Sequence, residues 1–197
     1  MTTVRPATVA DVDRVVGTLT TAFFDDPVWG PAFPDVERRA AQASAFWRLL
    51  VTSALRYPWT LVTENVEAAA VWLPPGGTEL TDDEAAGVED FLVELTDRKV
   101  ADGILVLFDQ FEAARPSEPH YYLSLLGTHA DHRGSGLGTG LLRENLARID
   151  RVGAPAYLES SNPANDSRYG RLGFLPQGEI VTGSGSVITT MWRPSRS

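Results

Sequence analysis

The sequence predicts one α/β domain built on a mixed sheet, and three observations predict it. Its segments alternate in the order β-α-α-β-β-α-α-β-α-β-α-β-β. Its 197 residues, 43% of them hydrophobic and 22% charged, are enough for one substantial core. Its aromatic side chains run along the whole length, so no long segment lacks something to bury.

Each element has a local reason. Thr2 to Arg5 reads as a short strand. Thr8 offers an N-cap with Asp11 three residues on, and Val9, Val12, Val15, Val16 and Leu19 then recur at helical spacing to about Phe24. Asp25-Asp26-Pro27 stops that helix, because the residue before proline avoids the helical region. A loop holding Trp29, Pro31 and Phe33 leads to a second helix over about Pro34 to Arg56. Trp59–Thr63 and Ala68–Leu73 read as a hairpin around Asn65. After the break at Pro74-Pro75-Gly76-Gly77, Thr81 and Glu84 form a capping box that opens a helix to about Val100, and another helix is expected over Gly103–Ala113.

The second half alternates strand and helix: a strand from Tyr121 to Gly127, a helix from Gly136 to Val152, a strand from Ala156 to Glu159. A short helix over Pro163–Leu172 ends at a Gly173 C-cap, and Phe174–Val181 and Val187–Trp192 close as strands.

Composition excludes several functions. A net charge of -9 gives no basic surface for nucleic acid. With no cysteine there is no disulfide, thiolate metal site or Cys nucleophile. Of the three histidines, His129 and His132 stand three apart with no third ligand near them, so no metal site is expected. The opening segment carries Arg5, Asp11 and Asp13 and has no apolar core of signal-peptide length. The longest apolar stretch, Ile104–Phe108, is too short to span a bilayer, so no membrane partner is expected and the cytoplasm is the expected location.

The chemistry concentrates in the run from Tyr121 to Thr139, where a strand ends and the turn Arg133-Gly134-Ser135-Gly136-Leu137-Gly138-Thr139 opens a helix. Such a turn aims free backbone N–H groups and the positive end of a helix dipole at one spot, and its glycines let a bulky diphosphate approach. The turn lacks the Lys-Ser/Thr pair of a nucleotide phosphate loop, and the GxGxxG pattern fails because Thr139 or Leu141 stands where the last glycine belongs. The glycines also fall in the last third of the chain, not after the first strand.

What remains, Arg133-x-x-Gly136-x-Gly138, resembles the coenzyme A pyrophosphate loop of the GNAT N-acetyltransferases. The later run Leu158-Glu159-Ser160-Ser161-Asn162-Pro163-Ala164-Asn165, with Tyr169 four residues after Asn165 and then Gly173-Phe174, resembles that family's next signature in order and spacing. Val4–Thr8, Ala22–Pro27, Ala70–Trp72 and Glu118-Pro119 are similar to the puromycin N-acetyltransferase branch of the family. Thr128, Ala130 and Gly170 depart from the family's usual Val, Pro and acidic residue, which leaves the substrate open.

The resemblance implies a GNAT fold, α/β (α+β), with a mixed, mostly antiparallel central sheet flanked by helices. It implies one N-acetyltransferase domain over residues 1–197, with its acetyl-CoA-binding core at about 119–174. Acetyl-CoA is the implied cofactor. Arg133 to Thr139 would hold its pyrophosphate, Leu125, Leu126, Gly127 and Thr128 its pantetheine arm in strand fashion, and Asn165 its amide region. A backbone N–H near Leu126 would face the thioester oxygen, and Tyr169 would be the general acid.

Glu159, ending a strand beside the donor strand, is either the proton acceptor, directly or through water, or a buried structural carboxylate; His120 and Asp25 are weaker candidates. Asp25, Trp29, Phe33 and Tyr121 are expected to line an aromatic, mildly anionic acceptor pocket. The expected function is acetyl transfer to a primary amine of a small molecule, an antibiotic or other xenobiotic among the candidates. The alternatives are a protein N-terminal or lysine acetyltransferase and a non-catalytic acyl-CoA-binding module. A homodimer is compatible with the resemblance.

Overall fold

The computed structural model describes residues 3–196. Seven strands form one sheet: β1 (Val4–Pro6), β2 (Leu61–Thr63), β3 (Ala68–Leu73), β4 (Tyr121–Thr128), β5 (Ala156–Ser160), β6 (Leu175–Val181) and β7 (Val187–Arg193). Their spatial order is β1-β2-β3-β4-β5-β7-β6. Every pairing is antiparallel except β4 with β5. The mixed, mostly antiparallel sheet is the one the sequence predicted; Thr2 of the expected first strand lies outside the described residues.

Seven helices flank it: α1 (Val12–Phe23), α2 (Trp29–Ala32), α3 (Val36–Ala54), α4 (Asp82–Leu95), α5 (Arg98–Ala114), α6 (Leu137–Arg151) and α7 (Asp166–Gly170). Two cores result. On one face, Val15, Val16 and Leu19 of α1 and Phe46 and Trp47 of α3 pack with Leu107 and Phe111 of α5. On the other, Leu141, Leu142, Leu146 and Ile149 of α6 meet Ala70, Trp72, Leu123 and Leu158. The opposite-facing apolar sets of β3 and β4 supply both.

Most element ends lie within about two residues of the sequence reading, and two regions differ by more. The expected loop at Trp29 contains α2, because the Asp26 carboxylate accepts from the N–H groups of Val28 and Trp29. The helix expected to reach Val100 ends at Leu95, and α5 begins at Arg98 instead of Gly103. Thr96 leaves the helical region and its hydroxyl returns to the Leu92 carbonyl, while the Asp97 carboxylate caps the Val100 N–H.

Two features of β4 set up the site. Ser124 is an extra residue: Val71 pairs with Leu125 and Trp72 with Leu123, so a β-bulge lies between them. In addition, β4 pairs with β5 only through Tyr121, Tyr122 and Leu123, although β4 continues to Thr128. Past Leu123 the two strands part, and the backbone groups of β4 that face β5 have no ladder partner there.

Candidate active site

A cleft of about 570 Å3 opens where β4 and β5 separate. It runs through the sheet from one core to the other. Leu126, Leu137, Leu142, Tyr169 and Leu172 line it on the α6 side, and Phe23, Trp29, Phe111 and Tyr122 on the side of α1, α3 and α5. One ligand can therefore enter from each face and meet the other at the parting strands.

The α6 side is built for an anion. Gly134 and Gly136 adopt φ of +79° and +80°, which side chains rarely tolerate. Gly136 precedes the 15-residue α6 with no side-chain cap, leaving the N–H groups of Leu137, Gly138 and Thr139 without helical partners. A Cβ on Gly138 would stand 2.8 Å from Thr128 Oγ1, so only glycine lets α6 start this close to β4. Gly127 is equally constrained: a Cβ there would meet Ala22 and Leu19 of α1 at 2.9 Å. The Arg133 guanidinium does not project into the cleft unpartnered; it donates to the Thr21 and Ala22 carbonyls and ties the turn to the end of α1.

The expected cofactor residues Leu126, Gly127, Thr128, Arg133, Gly134, Gly136, Leu137, Gly138, Thr139 and Asn165 all line this one cleft. The Leu125 side chain points into the core beside α1, leaving only its backbone toward the seam. The Ser135 hydroxyl turns back to the His132 carbonyl, away from the cleft. Asn165 accepts from Arg168 at 2.9 Å. Open helix N–H groups, a cradle that a Cβ would fill and a stretch of unpaired strand suit the diphosphate and amide-bearing arm of coenzyme A.

Tyr169 and Glu159 both line the cleft. Tyr169 packs edge-on against Phe174 with ring centroids 6.1 Å apart. Burial, reinforced by Asp26 and Asp166, pushes its phenol up to about 12, so it stays protonated. Glu159 lies beside the Tyr122 and Tyr157 phenols, and its Oε1 is buried with no hydrogen-bond partner among the described residues. Burial raises its carboxyl to about 7, against the lowering effects of Tyr122 and Arg115. His120 is remote: its Nδ1 lies 2.6 Å from the Glu118 carbonyl oxygen, and its ring sits between Tyr157 and Trp192.

Of the four expected acceptor residues, Asp25 and Trp29 line the cleft and two do not. Phe33 is fully buried against Phe46, where the core needs an aromatic ring. Tyr121 stacks on Trp59 at 4.3 Å in the core beneath α6, and its neighbour Tyr122 faces the cleft instead. The sequence reading also missed Asp26, whose carboxylate accepts from Ser161 Oγ at 2.7 Å and joins the end of α1 to the end of β5. It missed Ser124 too, the bulge residue, which donates to Glu79 at 2.6 Å. The paired Ser160-Ser161 after Glu159 was the available signal for the first; nothing local marks the second.

No helix among the described residues is long and apolar enough to cross a membrane. Comparison with solved structures finds a histone acetyltransferase-related acetyltransferase from Corynebacterium glutamicum, 26% identical, with a TM-score of 0.74 over 100% of this chain and 98% of that one. An agmatine N-acetyltransferase is 18% identical with a TM-score of 0.68, covering 96% of this chain and 97% of that one. A polyamine N-acetyltransferase from Drosophila melanogaster is 18% identical with a TM-score of 0.66, covering 98% and 99%. At that identity the last two likenesses are likenesses of fold. Residues 57–174 match the model of the acetyltransferase (GNAT) family, a span holding β4, the glycine turn, α6, β5 and Tyr169. The chain belongs to the GNAT family of acetyl-CoA-dependent N-acetyltransferases.

Proposed function

We propose that this protein acetylates the amine of a small organic cation. One observation carries the reading: a single cleft crosses the sheet, with the glycine turn and α6 at one end and an aromatic, carboxylate-bearing wall at the other. Acetyl-CoA, held by the turn from Arg133 to Thr139, by the strand edge of Leu125 to Thr128 and by Asn165, supplies an acetyl thioester. Trp29, Phe111 and Tyr122 surround the acceptor, and the carboxyl groups of Asp25, Asp26 and Glu159 lie at that end. Agmatine and polyamines, named for two of the structural neighbours, are amines of this kind. A xenobiotic amine would satisfy the same wall. A protein chain would require an open groove in place of rings that close around the acceptor.

Glu159 takes the proton from the acceptor ammonium. An alkyl ammonium has a pKa of about 10.4, so transfer to an ordinary carboxylate is uphill by about 8 kcal/mol. At about 7, Glu159 reduces this to about 4.6 kcal/mol. Tyr169 serves the departing sulfur. Full transfer from a phenol at about 12 to a thiolate of ordinary pKa about 8.5 is uphill by about 5 kcal/mol. Tyr169 therefore acts by donating a hydrogen bond while keeping its proton. The unpaired N–H groups of β4 near Leu126 stabilise oxyanion charge.

The test is thermal denaturation with and without acetyl-CoA, followed by CoA release with a panel of diamines, arylalkylamines and peptides. Ligand at 100 times its Kd adds about 2.7 kcal/mol, which raises Tm by roughly 5 to 11 °C. Gly138→Val, whose Cβ is blocked by Thr128, is expected to abolish that rise. No rise in the native protein overturns the proposal, and a rise without turnover of any amine reduces it to an acyl-CoA-binding module.

A further inference from the structure

Glu159 stands two residues after Tyr157 on β5, on the same face of the sheet, and lines the cleft together with Tyr122, which pairs with Tyr157. Tyr122 comes from β4 and Tyr157 from β5. Arg115 follows α5, and Glu79 comes from the link between β3 and α4. The Arg115 guanidinium stacks 4.0 Å from the Tyr122 ring centroid and lies 3.6 Å from Glu79 and 3.2 Å from Glu112. Its Nε is buried without a partner among the described residues. Glu79 uses its other oxygen to accept from Ser124 Oγ at 2.6 Å, on the bulge where β4 leaves β5. Both side chains are only 18% exposed, and neither lines the cleft.

Arg115 is thus held between the Tyr122 ring and two carboxylates, against the core formed by Tyr122, Tyr157 and Phe111. We propose that Arg115 and Glu79 are positioning residues that set the charge of Glu159 with opposite sign, Glu79 also pinning the bulge through Ser124. This rests on Glu159 being the proton acceptor. Arg115 attracts the ionised carboxylate; Glu79 repels it and returns part of the Arg115 charge to itself. The directions found for Glu159 agree: Arg115 lowers its proton affinity and Glu79 raises it, with burial the larger effect. The phenols of Tyr122 and Tyr157 also face Glu159, both held protonated by burial, and Asp25 and Asp26 line the same cleft. Next outward is His120, 5.4 Å from the Tyr157 ring and kept toward its neutral form by burial.

The test is a 13C titration of protein labelled at the glutamate carboxyls, with the Glu159 signal identified by its loss in Glu159→Gln. This reads Glu159 in the free protein and needs no substrate. In Arg115→Met the midpoint should rise by about one pH unit or more, and in Glu79→Gln it should fall. Arg115→Lys should restore most of the Arg115→Met displacement, and it keeps the test open should Arg115→Met fail to fold. Displacements of the same sign in the two variants, or none, overturn the proposal. In steady-state assays the acid limb of kcat/KM should follow the same midpoints. Midpoints that move while the acid limb stays leave the charge pairing standing and defeat Glu159 as the proton acceptor.

Discussion

Replacing Glu159 by Gln should make the protein more stable and far less active, with a gain that depends on pH in a calculable way. Burial moves this carboxyl from its ordinary 4.5 to about 7. Between those values the folded protein holds a proton that the unfolded chain lacks. The stability from this group is therefore intact below about 4.5 and is lost as pH rises through 7. The loss amounts to about 3.4 kcal/mol above pH 7. Gln has the same shape and no such loss. Urea denaturation at pH 5 and pH 8 measures the difference: the variant's advantage should be about 2 to 3 kcal/mol larger at pH 8, close to 1 M in urea midpoint. At pH 8 kcat should fall by a factor of about 100 or more. An advantage equal at both pH values would show that Glu159 is not held protonated by burial, and the role assigned to it would go with that.

Two other outcomes follow from the geometry. Tyr169→Phe keeps the ring against Phe174 and removes the hydroxyl proposed to donate to the departing sulfur; kcat should drop about 100-fold while the Tm rise with acetyl-CoA persists. Arg193, 2% exposed, grips both oxygens of Asp150 at 2.6 and 2.8 Å and donates to the Leu172 carbonyl, so Arg193→Met should cost about 3 kcal/mol in urea denaturation at pH 7 with little effect on kcat.

The glycine-turn side of the cleft was legible because it is built from backbone. A turn that must hold positive φ at Gly134 and Gly136, and must start a helix against Thr128, leaves glycines at fixed spacing in the sequence. Asn165 and Tyr169 follow within the same contiguous unit. The opposite wall depends on which way side chains face, and that was not legible. Counting back by twos from Leu126 would put Tyr122 beneath α6 and Tyr121 at the cleft. The extra residue at Ser124 exchanges them, and nothing in Leu123-Ser124-Leu125 announces a bulge. Phe33 and Trp29 look alike in sequence, yet Asp26 caps α2 so that only Trp29 reaches the cleft. Arg115 and Glu79 meet across 36 positions of sequence, with two helices folded between them.

The parting of β4 from β5 explains why one cleft reaches both faces of the sheet. A parallel pair continued to Thr128 would satisfy its own backbone and close the sheet. Here pairing stops at Leu123, and the polar groups of the following residues require partners from elsewhere. An extended chain of amides can supply them in the manner of an added strand, which fits the arm of coenzyme A. The same gap opens a passage between the two faces of the sheet, and Glu159 lines it near the end of β5. The bulge at Ser124 lies where the strands diverge, and Glu79 holds it there. The interruption in the sheet thus creates both the unpaired strand edge and the passage between faces, so a change that restored pairing beyond Leu123 would remove both at once.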